Sequence, residues 1–256
     1  MTAPLAIGGR SGDLAGGTVG RVTGMAWWQR TLAVLRANPS GALLLVQLLG
    51  ILLYAFVDDT PANSIGRLAL SLFGMLVVLL ALRVVRATPT YTWLGVLIGV
   101  PAVILTIVDW AVAAAQPWHL LSDVVHVAFY GYTLVGLLRY MFADEEVTQD
   151  EIWAIGATFT VAVWLWAYAY SAVQGIVPGS FTAAVDPQAQ RTWLELLFLS
   201  TTTMTSTGLS DVVPVKPLAR SIVMVQQIAG MLYLAVAVSR IVGLTINRRR
   251  VAREDA

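Results

Sequence analysis

Residues 201–221 read TTTMTSTGLSDVVPVKPLARS. Seven of the first ten carry a hydroxyl, and the stretch also holds one glycine, Gly208, and one acid, Asp211. It lies between two apolar segments, 152–176 and 217–246, each long enough to cross a membrane. The residues leading into it, PQAQRTWLELLFLSTTTM (187–204), are helix-competent, with Pro187 suited to a first helical position. Their apolar core, WLELLFL, is seven residues including Glu195. A bilayer core of about 30 Å takes roughly 20 residues of helix, so this segment is too short to span. Irregular backbone at membrane depth is tolerated only where it is buried in protein or lines a water-filled cavity. The stretch is therefore either a pore lining or an outer loop. As a pore lining, the short helix would aim its partly negative carboxyl end at the membrane middle and favour a cation there. Carbonyls and hydroxyls of an extended segment leaving it would then replace the cation's water shell.

The rest of the chain supports the membrane setting. Of its 256 residues 57% are hydrophobic and only 12% charged, and the mean hydropathy is +0.74, well away from a soluble domain. Four further apolar stretches precede the two already named: 41–57, 67–85, 92–115 with Pro101 inside it, and 121–142. A mid-span proline is tolerated in a membrane helix because neighbouring groups satisfy the freed carbonyl. Six spans with short connections leave no room for a large soluble domain. The first 25 residues are rich in Gly, Ala and Thr and lack the continuous apolar core of a secretory signal, so they are expected to form a cytoplasmic tail. The following MAWWQRTLAVLRANPS is either an interfacial amphipathic helix or a lead-in to the first span.

Orientation follows from the basic residues flanking the spans. With six spans, Arg10, Arg21, Arg30, Arg36, Arg83, Arg86, Arg139, Arg240, Arg248, Arg249, Arg250 and Arg253 share one side. Only Arg67, Arg191, Lys216 and Arg220 fall on the other. Both termini are thus expected in the cytoplasm, in a multi-pass plasma-membrane protein, with residues 201–211 approached from outside.

The order span, short helix, TMTSTGLSD, proline, span resembles the pore of the tetrameric potassium-channel superfamily. PVKPLARSIVMVQQIAGMLYLAVAVSRIVGL and VTQDEIWAIGATFTVAVWLWAYAYSAVQGIVPGSF resemble, within it, a group of small bacterial six-span ion channels. The resemblance covers 147–244 and is most specific in the last span. It implies an all-α membrane protein of six transmembrane helices, with a re-entrant pore helix and filter loop between the fifth and sixth, assembled as a homotetramer with three further copies of itself. The family's filter, T-V-G-Y-G-D, falls on Ser206, Thr207, Gly208, Leu209, Ser210 and Asp211. Gly208 and Asp211 are kept, whereas Ser210 replaces the second glycine and Leu209 the tyrosine whose hydroxyl braces the filter from behind. Phe198 and Leu199 stand where many relatives carry tryptophans. The implied ion-binding residues are Thr205, Ser206, Thr207, Gly208, Leu209, Ser210 and Asp211, in a shorter filter of altered or reduced selectivity.

Organisation follows as a cytoplasmic tail with a possible interfacial helix (1–40), a four-helix membrane domain (41–142), a pore domain (143–246) and a short cytoplasmic tail (247–256). The fourth span offers Arg139 as its one arginine, beside Asp123 and His126. Several spaced arginines are needed to make opening steeply voltage-dependent, so this domain is expected to be voltage-insensitive. Gly230 stands where relatives place an inner-helix hinge, or it is a small residue for close helix packing. Of Gln226 and Gln227, one is expected to face the cavity below the filter and the other a neighbouring helix. Asp109, Asp123 and His126 form a candidate pH-sensitive group or an interfacial, structural one. Glu195 is placed to pair with Arg191 one turn earlier or to lend charge to the outer mouth, where Asp211 concentrates cations.

Other classes find less support. With two histidines, His119 and His126, no cysteine, no metal-ligand spacing and no glycine-rich phosphate loop, no enzyme chemistry or cofactor is indicated. A net charge of +1 gives no field for nucleic acid. A secondary transporter would show internally repeated halves, and residues 1–128 hold no second copy of the 201–221 pattern. The expected function is conduction of monovalent cations. The alternatives are a sodium- or calcium-permeable channel and a channel-derived subunit that does not conduct.

Overall fold

Among the described residues the fold is all-α apart from one two-stranded ladder. The computed structural model describes residues 38–54, 73, 76–77, 92–111, 116–142 and 149–254. In chain order the elements are α1 (Pro39–Tyr54), α2 (Thr92–Ala111), α3 (Gln116–Met141), α4 (Gln149–Ile176), β1 (Phe181–Thr182), α5 (Trp193–Met204), β2 (Val213–Pro214) and α6 (Pro217–Glu254). Among the described residues three helices are long and apolar enough to cross a membrane: Trp118–Met141, Asp150–Ile176 and Pro217–Gly243. Pro39–Leu53 and Trp93–Val108 are shorter apolar helices. The expected second span, 67–85, and the expected interfacial helix before the first lie outside the described residues, save for helical positions at 73, 76 and 77.

α4 is the axis of the bundle, packed against α1, α3, α5 and α6. Its 28 residues give a rod of roughly 42 Å at about 1.5 Å per residue. Small and aromatic residues make those contacts close: Ala154, Ala157, Val161, Trp164, Ala167 and Tyr170 are all essentially buried. Asp150, in its first turn, gathers the neighbouring helix ends. Its carboxylate accepts from Ser40 N–H at 3.0 Å and Ser40 Oγ at 2.8 Å and from the Tyr140 hydroxyl at 3.1 Å. A carboxylate at the amino end of α1 satisfies donors that have no helical partner and complements the positive end of that helix.

Pro101 remains within α2. α6 continues beyond the predicted 246 to Glu254. NRRRVARE contains no helix breaker.

The predicted short helix begins six residues later than Pro187, at Trp193. The reason is a capping box: Thr192 Oγ1 accepts from Glu195 N–H at 3.3 Å, and Glu195 Oε2 accepts from Thr192 N–H at 2.6 Å. Two orphan amides are satisfied reciprocally, which fixes the start of α5 more firmly than a proline upstream. The preceding turn is held by Arg191, which is 5% exposed. Its guanidinium donates to the carbonyls of Val185, Asp186 and Ala189 and pairs with Glu195 at 3.2 Å. Its backbone exchanges two hydrogen bonds with the Gln174 side chain on α4. β1 and β2 then join the two flanks of α5, with Phe181 opposite Pro214 and Thr182 opposite Val213.

Candidate functional site

α5 is a 12-residue helix, about 18 Å long, with Leu196, Leu197, Leu199, Ser200, Thr202, Thr203 and Met204 buried against the bundle. It ends in the hydroxyl-rich stretch, and the ending has a defined geometry. Ser206 N–H donates to Thr203 O and Thr207 N–H to Thr202 O, both at 3.1 Å, with Ser206 at φ +59°. This nested pair, with a left-handed residue one place beyond the cap at Thr205, is a Schellman closure. Glycine usually occupies that position, because a Cβ costs about 1 kcal/mol or more in the left-handed region. Here it is a serine.

The sequence led to the expectation of an extended segment leaving the helix. Instead the chain turns at 205–206 and runs irregularly to 212. Hydroxyls cause the difference by bonding the helix's last carbonyls, offering the backbone a local alternative to extension. Thr205 Oγ1 reaches Thr201 O at 2.9 Å and lies 3.0 Å from Thr207 Oγ1. Thr202 O accepts from Gly208 N–H as well, at 3.2 Å.

Gly208 is the second left-handed residue, at φ +66°, with nothing within 4 Å of where a Cβ would stand. Its glycine is required by backbone conformation and not by space. The two left-handed positions are thus 206 and 208, one alternation earlier than the 208 and 210 onto which the resemblance carries the two filter glycines. Ser210, in place of the second glycine, has an ordinary φ; its N–H donates to Gly208 O at 3.0 Å, and its Oγ accepts from Val212 N–H at 3.1 Å. Gly208 O is therefore engaged within the chain. The carbonyls of Thr205, Ser206 and Thr207 accept no hydrogen bond from the described residues.

Residues 206–209 and 211 are exposed on the single chain, Leu209 at 76%. Residues 208–211 and the outer face of α5, at Leu194, Glu195 and Phe198, border a groove of about 780 Å³. Glu195 pairs with Arg191 one turn earlier, the first of the two roles expected for it, and it lines the same groove as Asp211.

On α6 the two glutamines separate. Gln227 is exposed. Gln226 is fully buried and faces no open cavity: its Nε2 donates to Ser200 O and Ser200 Oγ, both at 2.9 Å, and its Oε1 accepts from the Tyr170 hydroxyl. Gly230 is buried, and a Cβ there would stand 2.8 Å from Met204 O and 3.1 Å from Met204 Cα. That is close helix packing, the second of the two roles expected for it.

Asp123 and His126 are buried at 6% and 5% exposure. Asp123 accepts from Ser171 Oγ on α4 at 2.7 Å. His126 lies 2.7 Å from Ser122 O through Nδ1 and 3.2 Å from Thr106 Oγ1 through Nε2, with its ring stacked 4.5 Å from that of Tyr168. These contacts join α2, α3 and α4. The Asp109 side chain lies outside the described residues.

Three features were missed in the sequence. Thr192-Trp-Leu-Glu195 spells a capping box and was there to be found. The Gln226 cluster draws on three helices, and nothing local in the sequence joins them. A serine in the left-handed region has no sequence mark of its own.

No curated protein and no solved structure matches the chain. Residues 153–247, a little over a third of its length and including α5, the turn and most of α6, match the family model described as an ion channel.

Proposed function

We propose that the chain is one of four identical subunits of a voltage-insensitive channel for monovalent cations in the plasma membrane, both termini cytoplasmic, with residues 205–211 as a short filter. The observation that carries this is the row of three carbonyls, Thr205 to Thr207, that accept no hydrogen bond from the described residues. They belong to an exposed turn at the end of a short helix between two membrane-length helices. These carbonyls offer a dehydrated cation a set of oxygen ligands. One chain leaves this polar turn uncovered, so several copies must close around it.

Residues 41–142 act in this reading as a scaffold. α3 carries one basic residue in its last turn, Arg139, too little charge for steep voltage dependence. Residues 143–246 form the pore domain. No cofactor takes part, and the partners are the permeant ions, the other subunits and the bilayer.

Selectivity is reduced relative to a filter with two glycines, because Gly208 O is turned into the chain by Ser210 N–H and the left-handed pair is displaced to 206 and 208. The same observation favours a second reading, a sodium- or calcium-permeable pore. Cation flux into liposomes holding the purified protein tests both, comparing potassium, sodium and calcium gradients with Gly208→Ala as control. Flux that the substitution abolishes supports the filter, and the ion order identifies the pore. No flux under any gradient supports a channel-derived subunit that does not conduct.

A further inference from the structure

We infer that Gln226 is a positioning residue on α6 that sets where the 205–211 turn stands. The inference deepens the channel reading and rests on it.

Among the described residues, the side-chain hydrogen bonds of the turn are all local, to the end of α5 or within 205–212. Leu209 carries no hydroxyl and is 76% exposed. Among the described residues, the hydrogen bonds made by 205–208 run back to the carbonyls of Thr201, Thr202 and Thr203 or within the turn. The turn therefore goes where the last turn of α5 goes.

The last two turns of α5 are gripped at two points by one face of α6. Gln226 holds Ser200, and Gly230, one helical turn on, meets the backbone of Met204, one helical turn on from Ser200. Positions four apart share a face of a helix, so the two contacts fix both the rotation and the axial register of α5 against α6. A hydrogen bond at one point and contact distance at the other leave little room to slide.

Chemistry makes the first grip exacting. Tyr170, Ser200 and Gln226 are each 0% exposed. The Gln226 amide nitrogen donates to two oxygens of Ser200, its oxygen accepts from Tyr170, and Ser200 Oγ donates to Val163 O at 2.7 Å. Every hydrogen-bonding group of the Gln226 side chain has a partner, so movement of α5 along α6 would strand buried polar atoms. The cluster ties α4, α5 and α6 together one turn before the end of α5.

The test uses the full-length protein in liposomes, with Gln226→Leu against the wild type. Amide hydrogen exchange over 201–208 should become about tenfold faster in the variant, while exchange in α3 is unchanged. The potassium-to-sodium flux ratio should shift with it. Thr158→Val is the control: this hydroxyl is equally buried, at 0% exposure, but serves Ala154 O and Met141 Sδ away from α5. It should leave both readouts unmoved. If Gln226→Leu does not fold, Ser200→Ala, which deletes only the hydroxyl, takes the same measurements. Unchanged exchange over 201–208 in a folded variant overturns the inference, as does an equal change in Thr158→Val. Exchange that quickens with an unmoved flux ratio overturns the positioning role and leaves a packing one. If the wild type moves no cation the channel reading falls and the positioning role falls with it, and the exchange measurement then decides only whether Gln226 holds the end of α5.

Discussion

Arg240 of α6 stands 3.5 Å from Glu151 in the first turn of α4. The Arg240 guanidinium also lies 5.4 Å from the ring centre of Phe142, so one side chain of α6 engages two neighbouring segments. The pair is largely buried, with side-chain exposures of 15% and 4%. Removing one member of such a pair leaves a desolvated charge, which costs more than the pair itself contributes. Arg240→Ala is expected to destabilise the protein by about 2 kcal/mol, and Glu151→Gln, which keeps a hydrogen-bond acceptor, by roughly half as much. Thermal unfolding in detergent ranks the two, and equal midpoints for Arg240→Ala and the wild type would remove the pair from the account of how α6 is held.

The capping box gives a second expectation. Thr192→Ala deletes the acceptor for Glu195 N–H and should cost about 1 kcal/mol, a fall of about 2–4 °C in a protein of this size. Glu195→Ala deletes the other half of the box and the pair with Arg191 together. Its loss should exceed that of Thr192→Ala, and the same melting series reads both. A loss no larger than that of Thr192→Ala would mean that the Arg191 pair contributes nothing.

At the turn, Ser206 and Gly208 share a left-handed backbone but differ in side chain, so substitution should act on them in opposite directions. Ser206→Gly removes a Cβ from an unfavourable conformation and is expected to be neutral or to stabilise by up to about 1 kcal/mol. Gly208→Ala adds a Cβ with open space around it and should cost about 1–2 kcal/mol through conformation alone. In the flux assay Ser206→Gly should keep conducting while Gly208→Ala should not. Loss of flux in Ser206→Gly would show that the serine hydroxyl, and not the backbone conformation, matters at that position.

The apolar helices were legible because long apolar runs suit a bilayer and little else. Of the six expected stretches, three appear as α1, α2 and α4 within a few residues of their predicted limits. α3 begins five residues early, at Gln116, where WHLL continues the helix, and α6 starts where expected but runs on to Glu254. The short helix was legible as an element but not in its start, because a proline at a permissive position weighed more than a box that satisfies two amides. The site was legible in its residues but not in its shape. Hydroxyls can bond a cation, a helix carbonyl or one another, and only the fold shows that Thr205 and Thr207 do the last two while three carbonyls are left over. Gln226 read as one of two polar residues in a span, and its partners lie 26 and 56 residues away. Pairings at that separation follow from the packing of α4, α5 and α6.

The last expectation concerns the outer mouth. Asp211 is exposed and lines the groove beside the turn together with Glu195. Glu195 is partly neutralised by Arg191 at 3.2 Å, so most of the local negative field comes from Asp211. A charge at a pore mouth raises the local concentration of cations, and salt screens it over about 10 Å at 0.1 M. Asp211→Asn should therefore lower cation flux several-fold at about 0.01 M salt and have little effect near 1 M, where the screening length falls to about 3 Å. Glu195→Gln should show a smaller version of the same dependence. Flux through Asp211→Asn that is reduced equally at every salt concentration would mean that the carboxylate holds the turn in place and does not act through its field.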